Sequence, residues 1–264
     1  MPTDLPPDYE PSTKKMLDAA TYLSVLERLT RRTAGPVGLL WGLSTLVILA
    51  IIFFLAGGVG AWLTDGDPPD ARLVAVALVL FLLADLFRKA LYGPLRQLAK
   101  PENHTMSLSE VARLAAVRML PVLGMQFVVG AIITAFAILC LAFGVFGFIP
   151  ITILSFMLAP ALYFSATGKD IAESLRRAVG VTRRHGPWVL GMPALFLCLG
   201  ALVGSVTDIS MIDVALLPLE AVMDGDAVGL LKVATMSLIY GWVRWLSIGA
   251  VYVAVDGSAE TRER

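Results

Sequence analysis

Long uninterrupted apolar runs constrain the fold of this chain more than any other feature. The region Ala116–Ala201 holds three such runs, and the first two flank an uncharged corner at Phe146–Pro150. A helix needs roughly 20 apolar residues to cross a bilayer core about 30 Å thick, and helices in soluble cores rarely show apolar runs of that length. The sequence therefore predicts an all-α, polytopic membrane protein.

The composition and the spacing of the apolar runs predict six transmembrane helices. Of the 264 residues, 57% are hydrophobic and 16% are charged, whereas soluble proteins average about 25% charged residues. We divide the chain into an N-terminal tail with an amphipathic helix (1–35), a transmembrane domain (36–255) and a C-terminal tail (256–264). The predicted spans cover about Val37–Leu63, Leu73–Leu91, Val122–Phe143, Phe148–Ala166, Trp188–Val206 and Val233–Val255.

Basic residues are concentrated on one side of the predicted membrane. All but three of the 21 Lys and Arg residues fall in the N-terminal region, the second and fourth loops and the C-terminal tail; the exceptions are Arg72, Lys232 and Arg244. Short loops rich in Lys and Arg stay on the cytoplasmic side. We therefore expect a multi-pass protein of the inner (plasma) membrane with both termini in the cytoplasm.

Amphipathic helices are predicted on the cytoplasmic side. The first begins near Ser12 and either lies in the membrane surface or packs on its own protein; its apolar stripe comprises Met16, Ala19, Ala20, Leu23, Leu26 and Leu29. A capping box at Ser107–Glu110 starts another helix, which continues into the third span. Residues 92–106, with two prolines, are predicted to be a polar linker.

A second amphipathic helix is predicted between spans 4 and 5. Asp170 is placed to cap its first turn, and His185-Gly186-Pro187 ends it. Its basic residues suit anionic lipid headgroups or a protein partner, and the following tryptophan suits the membrane interface. Alternatively, the arginines only set the topology. The candidate lipid- or partner-binding residues are Arg176, Arg177, Arg183, Arg184 and Trp188.

Two charged residues inside predicted spans form a second candidate site. Arg244 lies near the middle of span 6, where a charge costs about 2.5–3.5 kcal/mol on insertion scales. Trp242 and Trp245 could shield its guanidinium group by cation–π contact. Asp85 is the carboxylate clearly within another span, but Arg88 and Lys89 follow one turn later and make an interfacial anchor the alternative for it.

Catalytic and nucleotide-binding motifs are not visible in the sequence. It contains no GxxxxGK[ST], HExxH or CxxC pattern, and its two histidines, His104 and His185, are far apart. The spans also lack the chain of acidic residues and histidines that a proton-coupled pump uses. We expect no catalytic residues, no metal site, no cofactor and no nucleic-acid partner.

The segment Ala172–Gly191, which reads AESLRRAVGVTRRHGPWVLG, together with the Phe146–Pro150 corner, resembles the membrane domain of glycerophosphoryl diester phosphodiesterases and its stand-alone six-helix relatives. The resemblance covers about residues 107–205. It implies the six-helix fold and carries no catalytic residue to this chain. The matching positions are Glu173, Leu175, Arg176, Arg177, Thr182, Arg183 and Trp188.

Two functions are compatible with these patterns. The first is a non-catalytic scaffold or accessory subunit that binds membrane lipids, anionic ones included, or a membrane protein partner. The alternative is a small transporter or lipid-handling protein with a polar site around Arg244. An intramembrane enzyme acting on lipids ranks last, because the sequence offers no acid–base pair.

Overall fold

Every regular element that the structure describes is a helix, as the sequence predicts. The structure is a computed structural model and describes residues 17–65, 70–100, 106–207 and 227–260. A short 3-10 helix, Leu141–Gly147, makes the corner between α5 and α6. The α-helices are α1 (Ala19–Thr33), α2 (Pro36–Asp65), α3 (Ala71–Ala90), α4 (Tyr92–Ala99), α5 (Leu108–Cys140), α6 (Phe148–Ala166), α7 (Ile171–Thr207) and α8 (Ala227–Glu260).

Four helices in the described part of the chain are long and apolar enough to cross a membrane. They are Pro36–Gly58 of α2, Leu108–Cys140 of α5, Phe148–Ala166 of α6 and Leu231–Asp256 of α8. Large apolar side chains cover their outer faces, which would be an aggregation-prone surface in water and is suited to lipid. These four helices coincide with four of the six predicted spans and confirm the prediction of a multi-pass membrane protein.

The other two predicted spans also fall on helices. Span 2 coincides with α3, whose end carries Asp85, Arg88 and Lys89, and span 5 coincides with the second half of α7. A kink at His185, with φ −122° and ψ 28°, separates the two halves of α7. Residues 208–226, where a short surface helix is predicted, lie outside the described residues.

Local capping signals are confirmed. Ser107 donates its backbone N–H to the Glu110 carboxylate at 2.8 Å, and Glu110 returns its N–H to the Ser107 hydroxyl at 3.3 Å. At the start of α7, the Asp170 carboxylate accepts the N–H of Glu173 at 2.7 Å. Each pair satisfies backbone donors that the first helical turn leaves free.

The predicted polar linker at residues 92–106 is wrong in its first half, where α4 forms. Pro94 is tolerated because it lies in the first turn, where its missing N–H is not needed. Leucines at helical spacing drive α4 into the core, and Leu91, Leu95 and Leu98 are at most 1% exposed. The leucine spacing was the signal for a helix, and the two prolines concealed it.

An aromatic cluster packs around α4 in the middle of the bundle. The Tyr92 ring stacks on Trp245 of α8, with centroids 5.0 Å apart, and contacts Tyr163 of α6 edge-on at 5.8 Å. Trp41 of α2 extends the cluster towards Trp242, at 5.4 Å. Aromatic packing therefore joins α2, α4, α6 and α8 in one core.

Helix α1 packs on its own protein, which is the second of the two predicted alternatives. Tyr22 and Leu29 are buried against the bundle, whereas Leu23 of the predicted stripe is 58% exposed. The predicted stripe is therefore confirmed at Leu29 and wrong at Leu23, because the aromatic Tyr22 takes the inner position; Met16 lies outside the described residues. Arg28 and Arg32 donate to the carbonyls at the C-terminal end of α4, namely those of Ala99, Leu98 and Lys100.

Candidate functional site

The basic segment predicted between spans 4 and 5 is the first half of α7, from Ile171 to the kink at His185. The chain enters it through a turn at Gly168, whose φ of 100° favours glycine because side chains with a Cβ are strained there. The Asp170 cap then starts the helix. The turn, the cap and the kink together define where each arginine of this segment points.

Three of the predicted basic residues, Arg176, Arg183 and Arg184, lie on the exposed side of α7. We call them the basic face. None of them makes a hydrogen bond or ion pair with any residue in the described ranges. Val179 lies between them and is 48% exposed. The basic face therefore presents three uncompensated charges beside an apolar side chain.

Arg177 points the other way and forms part of a buried ion-pair cluster. Its Nε lies 2.9 Å from the Glu173 carboxylate, and its Nη1 lies 3.5 Å from Oδ1 of Asp256. Asp256, which is 3% exposed, also forms an ion pair with Arg96 of α4, whose Nε lies 2.5 Å from Oδ2. The cluster joins α4, α7 and α8. The prediction assigned Asp256 to the C-terminal tail, so its role was missed.

Trp188, predicted as a membrane-interface anchor, contacts the beginning of α1. Its indole N–H donates to the carbonyl of Leu17 at 2.7 Å, and its ring lies 5.0 Å from that of Tyr22. The N–H of Leu17 donates in turn to Nδ1 of the buried His185 at 3.3 Å. His185 thus accepts at Nδ1, so its neutral ring carries the proton on Nε2.

Asp85 pairs on its own helix and not with Arg244. Its two carboxylate oxygens accept from Arg88 at 2.9 Å and from Lys89 at 2.5 Å. Lys89 also donates to the side chain of Gln126 on α5 at 3.0 Å. Asp85 therefore compensates two cations at the end of α3, and Lys89 ties this helix to α5.

Arg244 is half-buried, and no described residue forms an ion pair or hydrogen bond with it. Trp242 and Trp245 stack on each other, with centroids 5.4 Å apart, and the described residues show no cation–π contact between either ring and Arg244. Burial raises the pKa of the Tyr92 hydroxyl, and the charges of Arg88 and Arg244 oppose that rise. Arg244 therefore lies within electrostatic range of the aromatic cluster.

Two indole donors of the aromatic cluster have no acceptor among the described residues. The Nε1 atoms of Trp41 and Trp245 are buried without a hydrogen bond. A buried donor without an acceptor costs about 1–3 kcal/mol. Together with Arg244, the cluster is rich in donors and poor in acceptors, which is favourable for a ligand with oxygen atoms.

No family model, curated protein or solved structure matches this chain. The function must therefore be inferred from the contacts, burial and charges described above.

Proposed function

We propose that this protein is a non-catalytic integral membrane protein that binds anionic lipid at its cytoplasmic surface, as a scaffold or accessory subunit. The observation that carries the proposal is the basic face of α7, whose three arginines are exposed and form no ion pair with any described residue. A surface arginine or lysine attracts an anionic leaflet by about 1 kcal/mol. Three of them on one rigid helix form a defined binding surface.

The proposed topology has six spans with both termini in the cytoplasm. The distribution of Lys and Arg supports it, as does the helical structure of α3 and of the second half of α7. Charges at the cytoplasmic end of α3 are compatible with a span because long basic side chains reach the headgroup layer. The resemblance to the phosphodiesterase membrane domain points to the same arrangement.

A lipid surface suits the basic face better than a protein partner does. The face lies on a segment that connects two predicted spans, so headgroups are within reach of its side chains. The exposed Val179 beside the arginines fits the boundary between headgroups and acyl chains.

Native mass spectrometry of the full chain, extracted gently from its membrane, tests the proposal. The test variant carries Arg176→Gln, Arg183→Gln and Arg184→Gln. The matched control carries Arg31→Gln, Arg72→Gln and Arg113→Gln, three exposed basic residues elsewhere. We expect the test variant to lose affinity for anionic lipid by up to about a hundredfold, and the control to keep most of it.

Equal lipid retention by the test and control variants would contradict lipid binding at the basic face. A protein retained at fixed stoichiometry, and lost from the test variant alone, would instead identify α7 as a docking surface for a partner.

A lipid-handling or transport function is the second candidate. It is favoured by the uncompensated Arg244 and by the acceptor-free indole groups of Trp41 and Trp245. If a ligand oxygen normally occupies this site, Arg244→Leu removes a co-purifying ligand and leaves the fold intact. If Arg244→Leu only raises stability and leaves the bound lipids unchanged, a transport site there is excluded.

A further inference from the structure

A cavity of about 660 Å³ lies where α5, α6 and α7 meet, at the end of α7 remote from the kink. Its size is within the range of about 300–1,000 Å³ typical of small-molecule sites. The polar and charged side chains that line it come from Arg118 of α5, Ser165 of α6, and Lys169 and Asp170 of the connecting turn. None of these residues belongs to the basic face.

The guanidinium of Arg118 lies against Gly168 in this cavity. A Cβ built on Gly168 would lie 2.8 Å from one guanidinium nitrogen of Arg118, so the guanidinium occupies the space that any other side chain would need. Gly168 also has a φ of 100°, which disfavours other residues. Arg118 makes no ion pair or hydrogen bond with any residue of the described part of the chain.

Ser165 adds a hydroxyl group to the same cavity. The residue is 1% exposed, and within the described ranges its hydroxyl makes no hydrogen bond. Helical serines commonly bond to the carbonyl one turn earlier. A buried hydroxyl without that bond can donate to a ligand in the cavity.

The other charges around the cavity are already engaged. Lys169 pairs with Glu173 at 3.2 Å, and the Asp170 carboxylate accepts the N–H of Glu173. Among the described residues, the Arg118 guanidinium is therefore the cation at this cavity without an ion pair, and the Asp170 carboxylate is an anion there without one. The N-terminus of α7, which begins at Ile171, adds the partial positive charge of a helix start.

We infer that this cavity is a binding site for the phosphate group of a phosphorylated ligand. A guanidinium binds two phosphate oxygens at once. The Ser165 hydroxyl and the start of α7 supply the further donors that phosphate sites use. In the proposed topology the cavity lies at the cytoplasmic headgroup layer, where a phospholipid headgroup and a soluble phosphate compound can both reach it.

This site goes beyond the lipid surface proposed for α7. The basic face would hold several lipids through diffuse charge, whereas the cavity would hold one phosphate group per protein. The two sites share no residue, so each can be removed without the other.

Calorimetric titration of the full chain in neutral detergent tests the inference. The probes are inorganic phosphate, glycerol phosphate, and short-chain phosphatidic acid and phosphatidylglycerol. For the two soluble phosphates, and for the lipids once the basic face carries its triple substitution, we expect one site per protein. Arg118→Gln should lose affinity by about tenfold or more. Arg118→Lys, which keeps the charge, should lose less. Arg113→Gln, an exposed arginine of the same helix, should change affinity by no more than about twofold.

The probes also identify the source of the phosphate group. Binding of the lipids alone would assign the cavity to a headgroup, and equal binding of glycerol phosphate would assign it to a soluble ligand; both support the inference. Failure of every probe to bind, or equal weakening by Arg113→Gln and Arg118→Gln in folded protein, would overturn it. The triple variant of the basic face should leave the affinity of the cavity for phosphate unchanged. The experiment can therefore contradict one proposal without contradicting the other.

Discussion

The inner and outer sides of the first half of α7 differ in how their arginines are compensated. On the inner side, Arg177 shares the buried Asp256 with Arg96. On the outer side, the adjacent Arg176 belongs to the basic face and has no counter-ion among the described residues. Two neighbouring residues of the same type therefore differ in their surroundings: Arg177 is ion-paired with Glu173 and Asp256, and Arg176 lies on the surface proposed to bind lipid. The direction in which each side chain leaves the helix decides whether it is ion-paired or exposed.

Removing the shared carboxylate of Asp256 should have the largest effect on stability. Asp256→Ala leaves Arg96 and Arg177 without their buried counter-ion, and we expect a loss of about 3–5 kcal/mol in the free energy of unfolding. Unfolding in mixed micelles measures it. Glu27→Gln, which breaks the exposed pair with Arg31, is the control and should cost about 1 kcal/mol or less. An Asp256→Ala variant as stable as wild type would show that the cluster does not hold α4, α7 and α8 together.

Substituting the two adjacent arginines one at a time sharpens the comparison. Arg177→Gln removes hydrogen bonds between charged groups and should lower stability by about 1.5–3 kcal/mol. Arg176→Gln should change it by less than about 0.5 kcal/mol, because the side chain is exposed and makes no contact. The same micelle assay compares them. Equal losses would mean that the outer side is also part of the packing.

The junction between α7 and α1 offers a smaller test. Trp188→Phe removes the indole donor to Leu17 and keeps a ring that can pack on Tyr22. We expect a loss of about 0.5–1.5 kcal/mol and faster proteolysis near the start of α1. Trp62→Phe, at an exposed tryptophan of α2, serves as the control. Unchanged proteolysis in Trp188→Phe would show that this hydrogen bond does not hold α1.

The smallest expected effect is a dependence of stability on pH at Glu173. A hydrogen bond from Lys169, helped by the charges of Lys169 and Arg177, lowers the pKa of this carboxyl below its usual value of 4.5. The folded state therefore binds the proton more weakly than the unfolded state. The stabilisation is complete above the usual value and is lost as the pH falls through the lowered pKa. Glu173→Gln should reduce the slope of stability against pH in this acidic range; an unchanged slope would assign it to other carboxyls.

Features encoded within one or two helical turns could be predicted from the sequence. The capping box at Ser107 and the cap at Asp170 depend on residues three positions apart, and the apolar runs needed only length and composition. The kink at His185 was marked by the Gly186-Pro187 pair that follows it. All these signals are local, because backbone donors and lipid act on each segment independently of the rest of the fold.

Contacts between distant segments could not be predicted. Asp256 contacts Arg177, which lies 79 residues earlier in the sequence. No local pattern distinguishes Asp256 from a charged residue in a tail. Gly168 likewise shows only a turn signal, although its missing Cβ makes room for Arg118. The division of the arginines into paired and unpaired groups depends on which helices neighbour α7, and this follows from packing.

Leu17 is attached to α7 in a way that has a mechanical consequence. Both its N–H and its carbonyl are held by the corner of α7, through His185 and Trp188. Tension applied to the chain before this residue would load both hydrogen bonds together and reach the α7 corner before it reached α2. A tether attached to the chain before Leu17 would therefore pull first on the segment of α7 that carries the basic face.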